Sequence, residues 1–212
     1  MPPLPPFRAP LPRTSVLAPE HAARLHALIE EGRDLFERFD LEVRDREFHP
    51  FIPADFQVVL ESLLEHYRPG ARFLEWGSGM GVITILADLV GYEASGIELD
   101  ASLVRQSRAL ATKYESRARF AAASFFPTGY VFRPADGDAR AGTLGEGVSG
   151  YLELGHPLED FDVVFGYPWG GEAPLMHDLM HRYGRADALL LLATVNDGVK
   201  GYRAGRQVCG VR

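Results

Sequence analysis

The sequence predicts an α/β fold, a doubly wound and mostly parallel sheet with a helical N-terminal extension. Two observations predict it. From residue 70 onward, short apolar runs alternate with segments of helical period, the pattern of strands and helices wound into a parallel sheet. A glycine-rich turn, Glu75-Trp76-Gly77-Ser78-Gly79-Met80-Gly81, joins the first such run to the first such helix.

The chain of 212 residues reads as one domain in three stretches. Residues 1–17 are a proline-rich arm, extended in character. Residues 18–69 are a helical segment, and residues 70–212 form a cofactor-binding core. In the helical segment, Leu25, Leu28, Ile29, Leu35, Phe36 and Phe39 form one apolar stripe, so a helix is expected over Pro19 to Phe39. Pro50 and Pro53 then break the helical pattern. His49, Phe51 and Asp55 in that break are candidates for a lid. A second helix is expected from about Ala54 to Tyr67, closed by Gly70.

The core opens with ARFLEW, a short apolar run expected as a buried strand. VITILADLV follows the glycine turn as a helix. YEASGIELD is the second strand, ASLVRQSRALATKY a helix whose N-cap is Asp100, and ARFAAASFF the third strand. Between Pro127 and Asp160 the pattern is lost. A long loop is expected there, with a small strand near Tyr151 to Leu154. DVVFGYPW is the fourth strand, APLMHDLMHRYG a helix and ADALLLLATV the fifth strand.

The glycine turn selects between two ligands. A dinucleotide fingerprint, counted from Gly77, requires glycine at position 82, where Val82 stands. Glu75 would also repel a pyrophosphate. The same carboxylate suits a ligand with an ammonium group. S-adenosylmethionine has such an end and no phosphate. Glu98, at the end of the second strand, is placed to accept hydrogen bonds from ribose hydroxyls, with Leu99 beside the adenine.

These residues resemble a known family. Glu75 to Gly81 is similar to motif I of the class I S-adenosylmethionine-dependent methyltransferases, and Glu98 to the acid that follows it. ARFAAASFF falls where the family's third strand reaches the adenine, which points to Ser124 and Phe125. DVVFGYPW falls where the fourth strand carries the catalytic tetrapeptide. The resemblance spans about Arg72 to Val195, and EWGSG, GIE and YPW together look most like small bacterial members.

The resemblance implies a Rossmann-like fold and S-adenosyl-L-methionine as cofactor. Its binding residues would be Glu75, Gly77, Ser78, Gly79, Gly81, Glu98, Leu99, Ser124 and Phe125. Tyr167 and Trp169 would act at the site of methyl transfer, on a small-molecule or protein acceptor. Two departures matter. Gly166-Tyr167-Pro168-Trp169 lacks the Asn or Asp that amino-methylating members carry, and Ser124 stands where an aspartate is frequent. Little chain follows the fifth strand, so the sheet is expected to be truncated there, with VKGYRAG forming at most one short strand.

Two other functions stay open: a relative that binds the cofactor without turnover, and a nicotinamide-dependent oxidoreductase. Glu172 could touch substrate or favour the helix that follows it. His177 and His181 lie four apart, but Asp178 stands where a zinc protease has glutamate, so no metal is expected. The net charge of −7 argues against nucleic acid as a partner. One cysteine, no membrane-length apolar run and no signal-peptide pattern fit a cytoplasmic protein.

Overall fold

A computed structural model describes residues 17–44, 51–131, 147–169, 171–194 and 197–211. The expected arm, but for Leu17, lies outside the described residues, as do His49 and the centre of the long loop, 132–146. Among the described residues, no helix is long and apolar enough to cross a membrane.

The core is a seven-stranded sheet. In chain order the strands are β1 (Arg72–Trp76), β2 (Glu93–Glu98), β3 (Arg119–Ala122), β4 (Val163–Gly166), β5 (Leu189–Thr194), β6 (Gly198–Arg203) and β7 (Arg206–Val211). Their spatial order is β3-β2-β1-β4-β5-β6-β7. The first five run parallel, and β6 and β7 are antiparallel to their neighbours. The order reverses between β1 and β4. The carboxyl ends of strands at such a reversal leave a crevice for ligands in a doubly wound sheet.

The strands bury both faces because successive side chains point to opposite sides. Phe73, Val163, Phe165, Leu189 and Leu191 join one core. Leu74, Trp76, Val164, Leu190 and Leu192 join the other. Helices α1 (Pro19–Phe39), α2 (Phe56–His66), α3 (Val82–Val90) and α4 (Ala101–Lys113) cover the first face. The short α5 (Gly150–Leu154) and α6 (Ala173–Tyr183) cover the second.

Local chemistry sets several boundaries. α1 spans the bounds its apolar stripe predicts, and a π-helical turn, Asp40–Arg44, follows it. The Asp55 carboxylate accepts the N–H groups of Gln57 and Val58, so this residue caps α2 and is not a lid side chain. Asp100 caps α4 in the same way.

Two expectations are corrected. The sheet is not truncated after the fifth strand: residues 198–211 supply both β6 and β7. They suffice because Ala204 and Gly205, both with positive φ, make a two-residue hairpin turn. The region near Tyr151 is a helix and not a strand. Ser149 alone bridges to Ser124 as an added rung beside β3, and Tyr151 turns inward from the helix that follows.

Candidate functional site

The cleft lies at the carboxyl ends of β1 and β4, where the strand order reverses. Its walls are Glu75 in β1, Gly77 and Ser78 after it, Phe165 in β4 and Tyr167 just beyond, and the segment Phe51–Ala54 before α2. Among the described residues, no arginine or lysine lines it. Register sets Glu75 opposite Phe165 and Trp76 opposite Gly166, so alternation sends the side chains of Glu75 and Phe165 to the same face.

Glu75 is fully buried. Its carboxylate accepts the backbone N–H of Thr84 at 2.9 Å and also the Thr84 hydroxyl. Burial pushes its pKa up to about 8, against the lowering effect of the two Thr84 hydrogen bonds, and the charge of Glu98 adds to the rise. The acid therefore fastens the first turn of α3 to the end of β1 as well as lining the cleft.

Glu98 organises the other side of the loop. One of its oxygens accepts from Gly79 N and the other from Asp100 N, both at 2.9 Å. Burial raises its pKa, opposed by those backbone hydrogen bonds. A carboxylate offers about four acceptor positions, so capacity remains for ligand hydroxyls. Leu99 beside it is half-buried.

The three loop glycines face different surroundings. A Cβ at Gly77, whose φ is +68°, would meet nothing within 4 Å, so this glycine presents open backbone to the cleft. A Cβ at Gly81 would lie 2.7 Å from Phe120 and 2.8 Å from Ser107, so this glycine permits α3 to pack against β3 and α4. A Cβ at Gly79 would collide with the ring of Phe51. Ser107 also donates its hydroxyl to the Gly79 carbonyl at 2.9 Å, fixing the loop from below. Ser78 is buried, and its hydroxyl sits over Gly96.

The remaining sequence-predicted residues separate. Phe125 stacks on Trp76 with ring centroids 5.5 Å apart, inside the second core. The Ser124 hydroxyl accepts from Phe126 N at 3.2 Å. Tyr167 lines the cleft, and its pKa is raised by burial. Trp169 is half-buried and is not among the cleft-lining residues. Its backbone N–H donates to the Glu172 carboxylate at 2.9 Å, while Glu172 N donates to the Trp169 carbonyl at 2.9 Å. Glu172 is buried and stands at the start of α6, so it closes this turn.

Phe165 and Phe56 line the cleft but escape sequence reasoning, since an inward apolar residue and a cleft-lining residue read alike in one dimension. Thr84 escapes it too, because its role comes from its hydrogen bonds to Glu75.

Comparison with known proteins adds a partial likeness. No family model matches the chain. A stretch of 64 residues is 36% identical to the ribosomal protein L11 methyltransferase of Thermus thermophilus, covering 30% of this chain and 25% of that protein. Another of 74 residues is 34% identical to the ribosomal protein L11 methyltransferase of Ralstonia pickettii, covering 34% and 25%. The alignments thus span about a quarter of the curated relatives' length. Among solved structures, an RNA methyltransferase from Salinibacter ruber in complex with S-adenosyl-L-homocysteine superposes with a TM-score of 0.48 at 15% identity. It covers 74% of this chain and 97% of that one. A precorrin-6y C5,15-methyltransferase from Geobacter metallireducens gives a TM-score of 0.45 at 17% identity, covering 66% and 62%.

Proposed function

We propose that this protein is an S-adenosylmethionine-dependent methyltransferase, with the cofactor in the cleft between β1, β2 and β4. The observation that carries the reading is an acid at the end of β1, Glu75, that lines the cleft beside open glycine backbone, with a second acid, Glu98, at the end of the adjacent strand β2 and no arginine or lysine among the described lining residues. That donor set suits an ammonium-bearing amino acid joined to a nucleoside. It offers a pyrophosphate no arginine or lysine among the described lining residues. The local identity to two curated methyltransferases supports the same reading.

The residues present fit the cofactor. Glu75 would meet the ammonium group, and Gly77 gives the ligand close approach to backbone. Glu98 would accept ribose hydroxyls, with Leu99, Ser124 and Phe125 on the adenine side. The Ser78 hydroxyl is buried with no hydrogen-bond partner among the described residues, a polar group left for a ligand or water to satisfy. When bound, S-adenosylmethionine supplies a sulfonium methyl group open to in-line displacement.

The chain's own part is positioning and exclusion of water. Phe165, Tyr167 and the segment Ile52–Ala54 wall the cleft with apolar surface. Tyr167 and Trp169 flank the acceptor entrance on the β4 tip. With its pKa raised, Tyr167 stays protonated and orients an acceptor by hydrogen bonding without taking its proton. The acceptor this reading favours is a small molecule or a protein side chain that arrives with a lone pair available for the displacement. The cytoplasm is the expected compartment.

Calorimetry with S-adenosylhomocysteine and NAD, followed by methyl transfer to a panel of small-molecule, protein and RNA acceptors, tests the reading. Binding of S-adenosylhomocysteine alone and a methylated product are expected. Binding of NAD alone overturns it in favour of an oxidoreductase. Cofactor binding with no product across the panel favours a non-catalytic relative.

A further inference from the structure

The glycine that holds Glu98 is covered by a side chain from a distant part of the sequence. Gly79 donates its N–H to Glu98, so this glycine and this acid form one surface at the end of β2. Gly79 has no side chain of its own there. The edge of the Phe51 ring fills the space, with Cδ2 and Cζ lying 2.9 and 3.0 Å from where a Cβ would stand. A ring this close leaves no room for a ligand atom on the same face.

The ring is firmly seated. It meets Phe36 and Phe39 of α1 edge-on, with centroids 5.7 and 5.5 Å apart. It also packs against a small cluster of Phe39, Met80 and Leu103, separate from the two main cores. Such T-shaped pairs add attraction beyond simple burial. Its tether is short: the Asp55 cap anchors the chain at the start of α2, and Phe51 lies only four residues earlier. Rotation within 51–54 would move the ring without unfolding α2.

We propose that Phe51 is a built-in competitor for the nucleoside half of the cofactor, occupying the Gly79 face until the ligand displaces it. This rests on the methyl-donor reading of the cleft. Binding then requires the ring to leave Phe36 and Phe39, and the apparent affinity is lowered by the small fraction of molecules in which it has left. The device would make cofactor capture responsive to anything that pulls on the segment before α2.

Calorimetry and stopped-flow binding of S-adenosylhomocysteine to the wild-type chain and to Phe51→Ala and Phe51→Leu test it. Removing the ring is expected to tighten binding by about tenfold and to speed association, with Phe51→Leu between the two. The ligand-induced rise in melting temperature should be larger in Phe51→Ala than in wild type. Phe51→Leu keeps an apolar side chain on the cluster, so the comparison survives if the alanine variant is poorly folded. Weaker or unchanged binding in Phe51→Leu overturns the proposal, because Phe51 would then be a wall of the site or a bystander. If none of the three proteins binds while all melt cooperatively, the methyl-donor reading itself fails and takes this proposal with it.

Discussion

The Glu75 carboxylate and Thr84 share two hydrogen bonds across the glycine loop, one from the Thr84 amide and one from its hydroxyl. This ties the cleft-lining acid to the first turn of the helix behind it. Burial still dominates, and the pKa is pushed up from 4.5 to about 8. Since the folded state holds this proton more tightly than the unfolded state, ionising Glu75 costs stability. Its contribution is fully favourable below about 4.5 and declines up to about 8, by at most about 1.4 kcal/mol per pH unit. Glu75→Gln should therefore melt above wild type at pH 8 and lose that advantage at pH 5. Binding runs the opposite way. An ammonium needs the carboxylate, so S-adenosylhomocysteine affinity should rise from pH 6 to 8 in wild type and be weak and flat in Glu75→Gln. Calorimetry in buffers of differing ionisation enthalpy should report proton release on binding. A flat wild-type profile removes Glu75 from the ammonium site.

Glu98 fixes the loop through Gly79 and the next helix through Asp100, yet both contacts are to backbone. Glu98→Ala should keep the fold, because Asp100 still caps α4 through its own side chain. Affinity for S-adenosylhomocysteine should fall on the order of a hundredfold, the loss of two hydrogen bonds to a charged group. Glu98→Gln should recover part of it. Circular dichroism checks the fold and calorimetry the affinity. Unchanged affinity in Glu98→Ala would place the ribose elsewhere.

How far the sequence could be read depended on the range of the interactions involved. The bounds of α1, the Asp100 cap and the glycine turn after β1 are written in residues a few positions apart. Periodicity and capping chemistry expose such features directly. Phe51 on Gly79 depends on how the segment before α2 packs against the sheet, and composition does not record that. The C-terminal hairpin went unread for another reason. Residues 198–211 contain five glycines or alanines and few large apolar side chains, so two real strands carry a weak strand signature. Glu172 was an even choice in sequence. Its reciprocal bonds with Trp169 assign it to the turn.

Trp76 donates its indole N–H to the Tyr151 hydroxyl at 2.8 Å, and both residues are buried. This bond joins the end of β1 to α5. Burial holds the Tyr151 hydroxyl protonated far above its usual range. Tyr151→Phe removes the acceptor and leaves the indole N–H buried with nothing to receive it. A loss of about 1–3 kcal/mol is expected, read as a shift of the urea midpoint at unchanged slope. A change under about 0.5 kcal/mol would mean that a water replaces the hydroxyl.

Gly77 and Gly81 have nearly the same backbone conformation, φ +68° and +79°, but different neighbours. Alanine at either position meets the left-handed penalty of about 1–2 kcal/mol. At Gly81 the new methyl group also presses on Phe120 and Ser107, both core residues. Gly81→Ala should therefore destabilise by about 2–4 kcal/mol. Gly77→Ala should lose only about 1–2 kcal/mol, yet its methyl group would project into the cleft and weaken S-adenosylhomocysteine binding strongly. Urea unfolding and calorimetry on the pair separate the two roles. If Gly77→Ala binds as wild type does, the open face of that glycine is not where the ligand lies.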